Sequence, residues 1–174
     1  MKRKFSRLIF ATSVFALLAS LFVPAQAADE AQERAELAKA LTGAKVTLHS
    51  GLQTSASQGK PISAKFEVED GKLQLSIYAV KGDGFSEVVI NPASGKARKA
   101  EIITDKEDLE HATAQKAAMD KSKITLIAAA DKALKSNSGY RAVSIFPQIK
   151  ADHPVAEVTL ARGKAFKTVT EPLD

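Results

Sequence analysis

Apolar and polar positions alternate most regularly in the middle of the chain. Over residues 62–68, Ile62, Ala64, Phe66 and Val68 take turns with Ser63, Lys65 and Glu67. A period of two sends the two sets to opposite faces of a strand and buries one of them. Asp70-Gly71 comes next, a pair that tolerates positive φ and suits a two-residue hairpin turn. The alternation resumes over residues 72–80, with Leu73, Leu75, Ile77 and Ala79 on one face. Gly82-Asp83-Gly84 predicts a turn into a strand over 85–90. Asn91-Pro92-Ala93-Ser94-Gly95 predicts another, into a strand over 96–103. These four strands read as an antiparallel meander.

Helical spacing flanks this block. Residues 28–41 open with Asp29 and Glu30, where the helix dipole favours negative charge, carry a thin stripe of Ala35, Ala38 and Leu41, and stop at Gly43. Thr47 can cap a short helix over 47–57, with Leu48 and Leu52 one turn apart and Gly59 and Pro61 ending it. Residues 105–120 are polar, alanine-rich and acidic at the start, which predicts a helix with a weakly apolar face. A further helix over 125–136, capped by Ser122 or Thr125, repeats Leu126 or Ile127, Ala130, Ala133 and Leu134 at helical spacing and stops at Asn137-Ser138-Gly139. Strands follow over 140–146, 155–160 and 164–170. Pro147 and residues 152–154 mark the first link, Arg162-Gly163 the second.

Lys45-Val46-Thr47-Leu48 and Lys123-Ile124-Thr125-Leu126 match at three identical positions and one conservative one. Each precedes a short helix, a glycine stop and antiparallel strands. The fold class expected is therefore α+β, with two tandem helix-plus-antiparallel-sheet units and the helices packed on the sheet. The expected divisions are an N-terminal helix over 28–44, a first unit over 45–104, a connecting helix over 105–121 and a second unit over 122–174.

The first 27 residues change the charge balance. The chain carries 25 Lys and Arg against 20 Asp and Glu, a net of +5. Lys2, Arg3, Lys4 and Arg7 fall in this segment and no acid does, so the remainder is nearly neutral at 21 against 20. Residues 8–23 form an uncharged apolar run, followed by Pro24-Ala25-Gln26-Ala27. This is the layout of a secretory signal peptide cut between Ala27 and Ala28, with Ala25 and Ala27 as the small residues of the site. The expected location is periplasmic or secreted, with no membrane span after cleavage. With no cysteine in the chain, disulfides, a thiol nucleophile and a lipid anchor on a cysteine are all excluded.

The arrangement of residues 45–174 resembles PepSY-domain proteins. Thr47-Leu48 opens the first helix, Gly59-Lys60-Pro61-Ile62-Ser63-Ala64 leads into the first strand, and Asp70-Gly71 joins the hairpin. Phe85-Ser86-Glu87-Val88-Val89-Ile90 runs into Asn91-Pro92-Ala93-Ser94-Gly95-Lys96, which resembles the family's strand followed by Asp-x-x-Thr-Gly-Lys. Asn91 and Ser94 replace Asp and Thr, and both keep a side-chain oxygen able to bond the turn backbone. The stretch from Thr125 to Leu173 resembles a more divergent second copy. The resemblance implies an exported, non-catalytic binding module of the kind that inhibits or regulates peptidases in the cell envelope. The partner it implies is an envelope protein such as a peptidase.

The residues carry little catalytic chemistry of their own. Gly84-Phe85-Ser86-Glu87 lacks the second glycine of a nucleophile elbow. Gly82-x-Gly84 lacks the third glycine of a dinucleotide loop, and the chain has no P-loop, so no cofactor and no enzyme activity are expected. His111 shares a helix face with Glu107 and Asp108, fewer ligands than a structural metal site needs, so no metal is assigned. His49 and Ser50 are adjacent on a helix and point about 100° apart, which prevents a side-chain hydrogen bond between them. Lys96, Arg98 and Lys99 form a small basic cluster beside an acidic run, too narrow a surface for nucleic acid. The candidate partner-binding face is the polar side of the first hairpin: Lys65, Glu67, Gln74, Ser76 and Tyr78. Its one aromatic is either exposed for recognition or covered by the second unit. Other readings are a small-ligand or metal-responsive periplasmic protein, and a structural or homo-oligomeric envelope protein.

Overall fold

A computed structural model describes residues 24–98 and 100–174, with side chains from residue 29 onward. The basic n-region and apolar run of the expected signal peptide lie outside the described residues. Pro24–Ala28 enter only as backbone.

The alternating stretch builds β1, Lys60–Glu69, which pairs antiparallel with β2, Lys72–Lys81. Asp70 and Gly71 take φ of 49° and 71°, as the two-residue turn requires. β2 pairs in turn with β3, Gly84–Ile90, across Gly82-Asp83. The second half gives β5, Arg141–Lys150, β6, His153–Arg162, and β7, Ala165–Pro172. With the two-residue β4, Glu101–Ile102, these form one seven-stranded antiparallel sheet in the order β4-β3-β2-β1-β5-β6-β7. The described residues form an α+β fold, with four α-helices packed against that sheet.

Two expected strands differ from what forms. Residues 96–103 do not run as a strand: Ala97 makes a single bridge to Ile90, and ladder pairing returns only at Glu101–Ile102. The Gln58 amide explains the gap. Its Nε2 donates to the Arg98 carbonyl at 2.8 Å and its Oε1 accepts from Ala100 N–H at 2.7 Å, taking over backbone groups that a ladder would use. The strand expected over 140–146 instead continues through Pro147 to Lys150. Pro147 lies past the last pair with β1, Ala64 with Ile145, so its missing N–H interrupts no ladder there.

The helices are α1, Pro24–Ala40, continued by a 3₁₀ turn over Leu41–Gly43; α2, Leu48–Ser55; α3, Lys106–Lys121; and α4, Leu126–Lys135. Thr47 caps α2 in a reciprocal box with Ser50. Asp105 caps α3 by accepting from the Glu107 and Asp108 N–H groups, and Thr125 caps α4. The α1 stripe is shifted from the expected one: Ala35 is exposed, Leu37 is half-buried and Leu41 is buried.

The sheet is covered on both faces. Ile77 and Tyr78 are successive in β2 and therefore point opposite ways. On the Ile77 side sits α2, where Gly51 comes so close that a Cβ would lie 2.2 Å from Leu75 Cδ2. α4 packs beside it, against α2 and β5–β7. Leu48, Leu52, Leu126, Ala129, Ala130 and Ala133 join Phe66, Leu75, Ile77, Ile145, Val158 and Leu160 in this buried core. On the Tyr78 side lies α3, fixed by a hydrogen bond from Tyr78 to Asp108.

The two halves repeat several local details. The N–H groups of Lys45 and Val46 both donate to Pro92 O, at 2.9 and 3.0 Å. Those of Lys123 and Ile124 both donate to Leu173 O, at 2.7 and 3.1 Å. β1 and β5 each carry an irregularity near their start, between Pro61 and Ser63 and between Ala142 and Ser144.

The close approach at Gly51 makes a prediction with an unusual sign. In an exposed helix Gly→Ala adds about 1 kcal/mol of stability. Here the added methyl collides with a fully buried Leu75, so Gly51→Ala should lower unfolding free energy by about 1–3 kcal/mol. Urea unfolding of the two proteins side by side measures it.

Candidate partner-binding site

The polar side of the first hairpin is a buried layer. Tyr78 is only 4 % exposed, and Glu67, Gln74 and Ser76 are also buried, while Lys65 is half-buried. The cover over Tyr78 is α3. The strands of the second half lie alongside in the same sheet instead of over it. The layer is tightly bonded. Ser76 Oγ donates to Glu67 Oε1 at 2.6 Å, and Gln74 Nε2 reaches Glu67 Oε1 at 3.1 Å and Glu69 Oε2 at 2.7 Å. Lys65 Nζ stands 3.7 Å from Glu67 Oε2. Tyr78 donates to Asp108 Oδ1 at 2.9 Å. Of the five residues read from sequence as one face, all do share a face, but four are enclosed within the chain.

Glu87 belongs to this layer and was not singled out by the sequence reading. The signal was there: the two-residue turn at Gly82-Asp83 sets Lys81 opposite Gly84 and hence Tyr78 opposite Glu87. Burial pushes the Glu87 carboxyl up to about 7. Glu67, Glu69 and Asp108 add to the rise, while the neighbouring Ser76 hydroxyl opposes it. Asp108 is raised too, chiefly by burial, and Tyr78 rises by burial and the adjacent Asp108 charge. In a layer shared by several carboxylates, each charge makes the next more costly.

The histidines are held in separate pairs. His111 Nε2 lies 4.0 Å from Glu107 Oε1, but Asp108 turns inward to Tyr78, so the three do not converge. His49 Nδ1 meets both carboxylate oxygens of Asp131 at 3.0 and 3.1 Å, linking α2 to α4, while Ser50 Oγ bonds Thr47. His153 Nδ1 meets Asp174 Oδ2 at 2.8 Å. Among the described residues, no group of three His, Asp or Glu side chains could hold a metal ion. Lys96 and Arg98 are exposed on the loop after β3, and Lys99 lies outside the described residues.

Two open features remain. The first is the outer edge of β7. Leu173 N–H donates to Pro154 O at 2.9 Å, and Leu173 lies opposite Pro154 in the ladder continued from Val155 and Pro172. Bonding alternates along an antiparallel pair, so the odd-numbered residues of β7 bond β6, while Phe166, Thr168 and Thr170 turn their N–H and C=O groups outward. Pro172, with no N–H to offer, occupies the same outward set. The second is a groove of about 360 Å³ between α1 and the Tyr78 side of the sheet, reaching Phe166 and Thr168. No helix among the described residues is long and apolar enough to cross a membrane.

No family model matches the sequence, and no curated protein matches it. A solved structure described as a "putative lipoprotein" from Clostridium difficile 630 is similar at a TM-score of 0.39 and 13 % identity, over 71 % of this chain and 81 % of that one.

The raised carboxyls set a pH dependence. Glu87 titrates near 4.5 unfolded and near 7 folded, so its contribution to stability is complete below about 4.5 and is lost as pH rises through 7. Asp108 acts in the same direction. Melting temperature should therefore fall between pH 5 and pH 8, and Glu87→Gln should flatten that fall. Calorimetric scans of both proteins across the range check it.

Proposed function

We propose that this chain is an exported, non-catalytic binding module that takes an extended segment of an envelope protein, a peptidase foremost, onto the free edge of β7. Export rests on the basic n-region, the apolar run and the Ala25-x-Ala27 site. The kind of partner rests on the resemblance to PepSY domains, and we read the two halves as two such units. Their matching order, caps and paired N–H bonds to Pro92 O and Leu173 O support that reading.

The observation that carries the proposal is the open β7 edge. The sheet ends at one side in a two-residue strand and at the other in an eight-residue one. Strand addition draws affinity from main-chain hydrogen bonds and needs no catalytic side chain. A second reading, self-association by β7-to-β7 pairing, is favoured by the same edge.

Thr168→Pro tests the proposal. Its N–H points outward, so the substitution should spare the internal ladder and cost about 1 kcal/mol or less, yet remove a bond from any added strand. The wild-type protein should inhibit a peptidase activity of its own envelope fraction, and Thr168→Pro should lose at least tenfold in potency. No inhibition by the wild-type protein, or equal potency of the two, would overturn the reading. A concentration-dependent dimer in sedimentation, lost in Thr168→Pro, would support self-association instead.

A further inference from the structure

We infer that the groove beneath α1 receives cationic side chains, so that the segment added at β7 is selected for lysine or arginine. This rests on the edge reading above and assigns the specificity of the same surface.

The groove exists because α1 and α3 sit differently on the sheet. α3 turns Ala112, Ala118 and Met119 into buried positions and settles against the strands. α1 is exposed at every position from Asp29 to Glu36 and presents Leu37 as its first half-buried large apolar residue. The space left is about 360 Å³, within the range of ordinary ligand sites.

Its lining combines acid and aromatic character. Glu30, Glu33 and Glu36 come from α1, and Glu67 and Glu157 from the sheet, against one arginine and one lysine. Three of these glutamates already face a cation: Glu30 stands 3.7 Å from Arg34, Glu67 3.7 Å from Lys65 and Glu157 2.7 Å from Lys150, which leaves Glu33 and Glu36 outside these ion pairs to draw a further cation. Phe146 and Phe166 also line the groove. A cleft whose lining is acidic on balance concentrates counter-charge within it, and phenyl faces attract a cation as well as the aliphatic stem that carries it. An anionic or purely apolar segment would leave these glutamates worse off.

The route from the edge is short. Phe166 and Thr168 both line the groove and both belong to the outward-bonding set of β7. A strand laid beside β7 sends alternate side chains to that face. The residues of an added segment that lie beside Phe166 and Thr168 and point to that face therefore reach the groove mouth.

The experiment uses the purified protein and two blocked eight-residue peptides, lysine alternating with threonine and glutamate alternating with threonine, titrated by fluorescence anisotropy. The lysine peptide should bind at least tenfold tighter than the glutamate peptide, and the advantage should shrink as salt rises. Glu33→Lys together with Glu36→Lys, both on exposed positions, should reduce that preference at least tenfold with an unchanged melting temperature. Phe166→Ala serves as a second variant, expected to weaken the lysine peptide at least threefold. Equal binding of the two peptides, or an unaltered preference in the Glu33/Glu36 variant, overturns the inference. Thr168→Pro separates the two readings. If it abolishes binding of both peptides while the charge variants change nothing, the edge reading stands and the specificity falls. If the charge variants act and Thr168→Pro does not, the groove binds cations without strand addition and the edge reading falls.

Discussion

The whole sheet depends on a short seam. β1 and β5 meet through two ladder pairs, Ala64 with Ile145 and Lys65 with Ser144. The ladders within each half, apart from the small β3–β4 contact, have seven to nine. So few backbone bonds cannot hold two halves in register, and side chains complete the join. α2 and α4 pack together across one face, and α3 contacts β1, β5 and β6 on the other. Arg141, at the start of β5, donates from Nη1 to Leu41 O and from Nη2 to Val46 O, each at 3.0 Å, with its guanidinium 5.4 Å from the Phe66 ring centre. The planar fork suits two carbonyls of one bent segment in a way that a lysine cannot. It ties the link between α1 and α2 to a strand about a hundred residues later.

The two faces of the sheet solve burial differently. The α2–α4 side is apolar and stabilised by area removed from water. The α3 side buries serine, glutamine, tyrosine and carboxylates, which is tolerable only because they bond one another. Gln115 of α3 departs from that rule, since it is buried and neither of its amide atoms has a partner. Such a layer contributes less net stability than an apolar one, but it accepts α3 in a single orientation, the one that brings Asp108 to Tyr78.

Local pattern was enough to read most of the elements. Period two and Asp70-Gly71 specified the hairpin, and Thr47 and Thr125 capped their helices as their positions suggested. The alternation over 96–103 misled because a strand signal says nothing of competitors, and Gln58 lies some forty residues upstream. The polar hairpin face admitted two readings, exposed for recognition as polar residues usually are or covered by the second unit, and neither names the helix that covers it. Its cover comes from Asp108, thirty residues on, a partnership without periodicity. The β7 edge could not be foreseen either. Which strand ends a sheet depends on the β1–β5 seam, and that contact leaves no trace in local spacing.

The unequal edges also limit how this protein can assemble. Open-ended growth of a sheet needs two usable borders on every copy, so that each newcomer offers a fresh surface to the next. Here one border is shortened to two residues, with the Gln58 amide occupying backbone beside it. Strand pairing therefore has a valence of one. Two copies meeting at β7 would satisfy each other about a twofold axis and close, because a single isologous contact cannot propagate into a filament. An eight-residue border is a hazard in most sheets, but in this one any growth through it ends after a single step.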